Sequence, residues 1–190
     1  MSAEFDDLLE MAGGAFQTER PACIGVAVSG GSDSMALLCL LSQLCERHKA
    51  HRLSVVTVDH GLRPDAAAEA THVAETCAGL GHQHTVLHWR GWDRSGNLQD
   101  RARQARYSLI ADWATASGIS TVALGHTADD QAENFLIRLA RESGVDGLSG
   151  MSSRRKIKDV MFLRPMLTAT RSELRDFLRD RGIRWVDDPS

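Results

Sequence analysis

Short apolar runs alternate along this chain with stretches whose apolar residues recur every three or four positions. Residues 24–29 are apolar and end at Gly30-Gly31, the pattern of a buried strand stopped by a tight turn. Residues 32–49 carry Met35, Leu38, Leu41 and Leu44 at helical spacing. A second, β-branched run at 53–58 ends at Asp59-His60-Gly61. Pro64-Asp65 opens an Ala-rich helix that reaches about Leu80. A weaker third strand is expected at 85–88, then a long helix over 97–117 stopped by Gly118. A fourth strand follows at 121–125 and a helix from about 128 to 141. Beyond that the pattern loosens. Gly144, Gly147 and Gly150 punctuate a loop, 160–163 could add a strand, and Arg164-Pro165 marks a turn. An amphipathic helix is expected at 171–181, with a short apolar stretch at 183–186.

Strands alternating with helices imply parallel βαβ units, and near-continuous apolar strands imply a sheet covered on both faces. The expected fold is therefore α/β, a doubly wound parallel sheet of Rossmann-like type. One domain over 1–190 is expected, with the sheet within about 20–150 and a basic C-terminal extension over 151–190. A chain of 190 residues can bury a core without disulfides or metals. Its 43% hydrophobic and 25% charged residues exclude disordered and fibrous classes. No apolar run approaches a membrane span, and the acidic residues 1–10 do not resemble a signal peptide. The four cysteines (Cys23, Cys39, Cys45, Cys77) form no CxxC pair, so a reducing cytoplasm with inert thiols is expected. The net charge of −3 conceals an asymmetry: from Met151 onward ten Lys and Arg face six Asp and Glu.

The strongest local signal is Ser29-Gly30-Gly31-Ser32-Asp33-Ser34, between a strand and a helix. Adjacent glycines let backbone N–H groups approach an anion closely, and the following helix aims its free N–H groups at the same place. Three serines add hydroxyl donors. No Lys follows the glycines, so this is not a Walker A loop, and the glycines are too close for GxGxxG. A carboxylate at Asp33 would repel phosphates unless a cation lay between, which suits Mg²⁺. An ordinary turn with Ser32 as N-cap accounts for less of this pattern than phosphate binding does.

Three further groups sit at expected strand ends or helix starts. Asp59 and His60 follow the second strand, beside the first loop. His126, Asp129, Asp130 and Glu133 recur at helical spacing after the fourth strand, with Asn134 beside them. Helix-start acids explain one or two of these. A metal cluster is a further option, and a cationic substrate would explain the acids. Arg103 and Arg106 share a helix face, and either could clamp an α-phosphate. Arg154, Arg155, Lys156 and Lys158 could meet RNA phosphates or form a solvated hairpin tip. Trp89 and Trp92 read as isolated, and Trp113 as a core residue.

SGGSDS resembles the signature of the PP-loop ATP pyrophosphatases, whose fold is adenine nucleotide alpha hydrolase-like. With VDHGLR, ARQARY, GHTADDQAEN, GLSGM, RPML and WVDDPS in order, the chain closely resembles the tRNA(Ile)-lysidine synthetase family from Gly25 to Ser190. The resemblance implies ATP-dependent ligation of free L-lysine to the wobble cytidine of tRNA(Ile) with a CAU anticodon. An adenylated cytidine would be the intermediate, and AMP and pyrophosphate would be released. It implies ATP binding by Ser29, Gly30, Gly31, Ser32, Asp33 and Ser34, with Asp59 and His60 beside the adenosine. Asp33 would help hold Mg²⁺ and, with Arg103 and His126, make the catalytic set. Asp130 and Glu133 would bind lysine. Asn134 departs from the family's usual Thr. Family members continue into further domains that grip tRNA, which are expected to be missing here, and a homodimer is kept open. Two alternatives remain: a PP-loop tRNA thiolase, disfavoured by the scattered cysteines, and a non-catalytic nucleotide-binding module.

Overall fold

The apolar run at Cys23 becomes a central strand of a six-stranded sheet. The computed structural model describes residues 3–18, 21–48, 51–61, 66–89, 97–140 and 150–187. In chain order the elements are α1 (Ala3–Gly14), β1 (Cys23–Ala27), α2 (Ser32–His48), β2 (Arg52–Asp59), α3 (Ala66–Gly79) and β3 (Gln83–His88). Then come α4 (Leu98–Ala116), β4 (Thr121–Leu124), α5 (Ala128–Ala140), β5 (Arg154–Ile157), β6 (Val160–Leu163) and α6 (Arg171–Asp180). Across the sheet the order is β3-β2-β1-β4-β6-β5. All neighbours pair in parallel except β5, which runs antiparallel to β6 at one edge. The chain winds outward from β1 through β2 and β3, then returns to the other side at β4. The carboxyl ends of β1 and β4 thus border the point where the winding reverses, the crevice in which open α/β sheets bind ligands.

One core cluster joins β1 to α2, α1, α3 and α6, with Phe5, Leu9, Met35, Leu38, Val73, Leu174 and Leu178 all buried. Neighbours cover α2 so fully that its buried residues run almost unbroken from Ser34 to Ser42, where a half-exposed helix would show a stripe. A second cluster joins α4, through Ile110, Ala111 and Ala114, to Val122, Leu124 and Phe162. Gly25 serves this packing: a Cβ there would lie 2.9 Å from Val122 and 3.1 Å from the Trp113 ring. Asn97 caps α4 by accepting from the Gln99 amide at 3.0 Å, and Gly118 ends it at φ +68°.

The basic residues 154–157 form one arm of the solvated hairpin that the sequence allowed, an edge strand with both faces wet that pairs antiparallel with β6. The sequence pattern needs three corrections. Residues 151–190 are not an extension outside the sheet, because β6 pairs with β4 and β5 pairs with β6. Residues 3–14 form a helix, packed on α2 and α6 through Phe5 and Leu9, where only an acidic stretch was read. Trp89 is not isolated: its ring meets His60 edge-on, with centroids 5.7 Å apart. The expected Pro64-Asp65 helix start, Trp92, Gly144 and Gly147 lie outside the described residues. No helix among the described residues is long and apolar enough to cross a membrane.

Candidate active site

The loop after β1 is held in shape by its own serines. Ser34 Oγ accepts from the Ser29 amide at 3.1 Å, lies 3.2 Å from Ser29 Oγ, and donates to the Gly31 carbonyl at 3.0 Å. Ser32 Oγ donates to Asp33 Oδ1 at 2.9 Å. Gly30 sits at φ +95°, a conformation that excludes most side chains. Its carbonyl accepts from the Val186 amide at 2.9 Å, so the end of the described chain clips the loop. Gly125, after β4, lets that strand end meet the first turn of α2: a Cβ there would come within 2.9 Å of Ser34 Cα and 3.0 Å of the Asp33 carbonyl. Ser32 and Ser34 are buried, Ser29 is exposed, and the loop opens toward the reversal crevice.

Beside the loop, Ser29, Asp59, His60, Glu69 and Arg106 line a cavity of about 340 Å³ with Val28, Val58 and Ile110 at its apolar side. That volume lies in the range of small-molecule sites, which combine apolar walls with a few polar groups. Asp59 accepts from the Gly61 amide at 2.8 Å and pairs with His88 at 3.3 Å. The two arginines of α4 part here. Arg106 lines the cavity, whereas Arg103 is exposed and lies 5.9 Å over the Tyr107 ring. Burial lowers the pKa of the Arg106 guanidinium, and no carboxylate pairs with it among the described residues.

His126, just after β4, is half-buried. Burial first, then Arg164, pushes its pKa down to about 4 against the opposing pull of Asp130, with Arg106 and Arg103 adding to the fall. Its Nδ1 is buried without a hydrogen-bond partner among the described residues. The imidazole is therefore neutral at neutral pH. Arg164, 5% exposed, donates to the Ser152 carbonyl and to the Tyr107 hydroxyl at 3.2 Å.

The acids of α5 converge on one cation that sequence reasoning missed. Arg171, at the start of α6, donates through Nε to Asp33 Oδ2 at 3.3 Å, and lies 3.6 Å from Asp130 and 3.5 Å from Glu133. Its backbone amide donates to Asp129 at 2.7 Å. Burial acts to lower the Arg171 pKa, but the carboxylates of Asp33, Asp130 and Glu133 outweigh it and the net shift is upward. Asp130 is fixed further by accepting from the Thr127 amide at 2.7 Å and from its hydroxyl at 3.0 Å. One turn along α6, Arg175 points its Nε at Ser32 Oγ, 3.5 Å away. The only sequence signal for this pair was two arginines at i and i+4 on an amphipathic helix. Asn134 Nδ2 is buried without a partner among the described residues.

Among the described residues no group of three or more His, Cys, Asp or Glu side chains could hold a metal ion. Asp33, in the serine-held loop, would fit a Mg²⁺ arriving with a phosphate ligand, because Mg²⁺ commonly takes one or two carboxylates and completes its shell with phosphates and water. Cys39, Cys45 and Cys77 are buried, and burial raises their thiols to about 12, 11 and 11. None of them lies in the loops that form the crevice.

A family model described as a PP-loop domain matches residues 4–190. The tRNA(Ile)-lysidine synthase of Ruegeria pomeroyi is 52% identical over 184 residues, 97% of this chain and 44% of that protein. The synthase of the same name from Rhizobium meliloti is 43% identical over 182 residues, 90% of this chain and 40% of that one. The chain thus spans less than half the length of these curated relatives. Among solved structures, the U34-tRNA thiolase NcsA of Methanococcus maripaludis superposes with a TM-score of 0.84 at 16% identity, covering 98% of this chain and 67% of its own. An NH3-dependent NAD synthetase of Campylobacter jejuni gives 0.60 at 14% identity, covering 95% and 72%. Likenesses at such low identity concern the fold alone.

Proposed function

We infer the function from one premise: the chain belongs to the PP-loop domain family. It binds ATP with the triphosphate on the Ser29–Ser34 loop and the adenosine in the cavity bordered by Asp59 and His60. It uses that ATP to join L-lysine to the wobble cytidine of tRNA(Ile) bearing a CAU anticodon, releasing AMP and pyrophosphate. The observation that carries this reading is the crowding of Asp33, Asp130 and Glu133 around a single cation beside a phosphate cradle. A site that must accept both phosphates and an ammonium-bearing substrate needs that juxtaposition. The 52% identity to a synthase of that name supports the choice among PP-loop enzymes.

In this reading the cytidine O2 attacks the α-phosphorus and pyrophosphate leaves into the loop. The lysine ε-ammonium gives a proton to a carboxylate of α5, and the amine so freed attacks C2 as the bond from C2 to the AMP oxygen breaks and AMP departs. Preorganised cations offset the charge that develops in the first step. Arg106 takes the α-phosphate side, since it lines the nucleotide cavity and has no carboxylate partner among the described residues. Arg103, exposed over Tyr107, takes the RNA side. His126, neutral at working pH, orients the adenylated base by hydrogen bonding. Asp130 and Glu133 hold the lysine ammonium groups, and Asp33 would hold a Mg²⁺ that would screen the phosphates.

Thiolation has only the structural likeness to NcsA behind it, and buried, protonated thiols are poor nucleophiles. The deciding assay supplies ATP, labelled lysine and tRNA(Ile) with CAU, with the Ruegeria pomeroyi synthase as positive control. Because the chain spans 44% of the control, label in the tRNA with equal AMP and pyrophosphate is expected at a rate well below the control's, and alkylating exposed thiols beforehand should change nothing. No label and no pyrophosphate, while the control is active, would end the ligase reading of this chain.

A further inference from the structure

Two features of the site oppose each other. Its loop is built for phosphates and its α5 face for a cation, yet Asp33 belongs to both. In the structure Arg171 resolves the conflict by spanning Asp33, Asp130 and Glu133 at 3.3, 3.6 and 3.5 Å. The same side chain therefore occupies the position where an incoming ammonium group would sit. Arg171 is only partly buried, with a third of its side-chain surface exposed, so it can turn without dismantling a core. Its backbone is anchored separately. Thr170 and Glu173 form a complete capping box at the start of α6, and the Arg171 amide is held by Asp129. Arg175, on the same helix face, already reaches the loop at Ser32. The loop carries no lysine of its own after the glycines. Arg171 and Arg175 thus bring two cations of α6 to the loop, Arg175 while also pairing with Asp187 at 2.9 Å.

We propose that Arg171 is a counter-ion that changes partners. In the empty protein it neutralises the acids of the amino-acid subsite. When ATP enters the loop, Arg171 turns to the phosphate oxygens beside Arg175 and frees Asp130 and Glu133 for the substrate ammonium. The proposal rests on the ATP and lysine reading above and adds an order to it. Nucleotide binding creates the lysine site, so lysine does not fill it prematurely and phosphates do not meet bare carboxylates. A ligand shifts such an equilibrium only through different affinity for the two arrangements, and phosphate has that difference because it accepts from guanidinium while the carboxylates repel it.

The test is calorimetric titration of L-lysine into the chain, with and without saturating α,β-methylene ATP and Mg²⁺, for the natural protein, Arg171→Gln and Arg171→Lys. In the natural protein the nucleotide should tighten lysine binding by about tenfold, and lysine should tighten nucleotide binding by the same factor. Arg171→Gln should bind lysine without nucleotide about as tightly as the natural protein does with it, while its nucleotide affinity falls. A residue that merely props the site open would lower both affinities. Weaker lysine binding by Arg171→Gln without nucleotide, or an undiminished effect of nucleotide in that variant, overturns the proposal. Should Arg171→Gln not fold, Arg171→Lys decides: one ammonium cannot span three carboxylates, so the coupling should shrink, and unchanged coupling overturns the proposal. Binding of both ligands without mutual influence overturns it while leaving the function intact. Failure of the natural protein to bind the nucleotide overturns the functional reading itself.

Discussion

At His126 burial and three arginines act in one direction, and only Asp130 opposes them. A free imidazole takes its proton near pH 6.5, and this one resists until about pH 4. The unfolded chain therefore binds a proton that the folded chain refuses in that window. Stability from this group is complete above pH 6.5 and declines as pH falls toward 4, by up to about 3 kcal/mol. Urea midpoints measured across that range should drop with pH in the natural protein and less steeply in His126→Gln. Equal slopes would mean that the imidazole is not held neutral. The residue types of this site were readable in the chain, because Gly30, Gly31, Asp33, Asp130 and Glu133 cluster locally at strand ends and helix starts. The separation of Arg106 from Arg103 was not, since both lie on one helix face and only the cavity distinguishes them.

Among the elements, the crevice depends on one close approach between the end of β4 and the first turn of α2. A Cβ on Gly125 would strike backbone atoms of Asp33 and Ser34, which cannot rotate away as a side chain could. Gly125→Ala should cost roughly 1–3 kcal/mol of stability and weaken ATP binding by more than that loss explains, because the loop itself must shift. Denaturant midpoints and nucleotide titration on the same preparation check this; unaltered affinity would place the loop outside the nucleotide site. Thr170→Ala removes the cap that anchors α6 and should cost about 1 kcal/mol in the same unfolding assay. α4 and α6 were legible from periodicity because burial on a fixed face imposes it, whereas α2 is covered almost all round and α5 buries none of its residues. α1 carries Phe5, Leu9 and Ala12 at helical spacing, but its acidity hides that pattern. β5 has no apolar alternation to read, since the edge position and its pairing with β6 alone make Arg154–Ile157 a strand.

Over the whole molecule the site is assembled from residues as distant as Gly30 and Val186. A ligand in it ties the loop, α5, α6 and the end of the described chain together, so its binding energy should appear as global stability. At one hundred times its dissociation constant, ATP with Mg²⁺ should stabilise the fold by about 2.7 kcal/mol. The thermal unfolding midpoint should rise accordingly, as one transition. An unmoved midpoint at saturating ATP would argue against a nucleotide site spanning these elements. The βαβ alternation, the phosphate-type loop and the acids after the fourth strand were determined by the sequence itself. Each of these depends on residues within a turn or two of one another, where spacing reports directly on geometry. The cation that balances those acids was decided only by the tertiary structure. Arg171 lies 138 positions from Asp33, and no local period carries information across that distance. Only the pairing of β6 beside β4, which carries α6 back over the crevice, brings the two charges together.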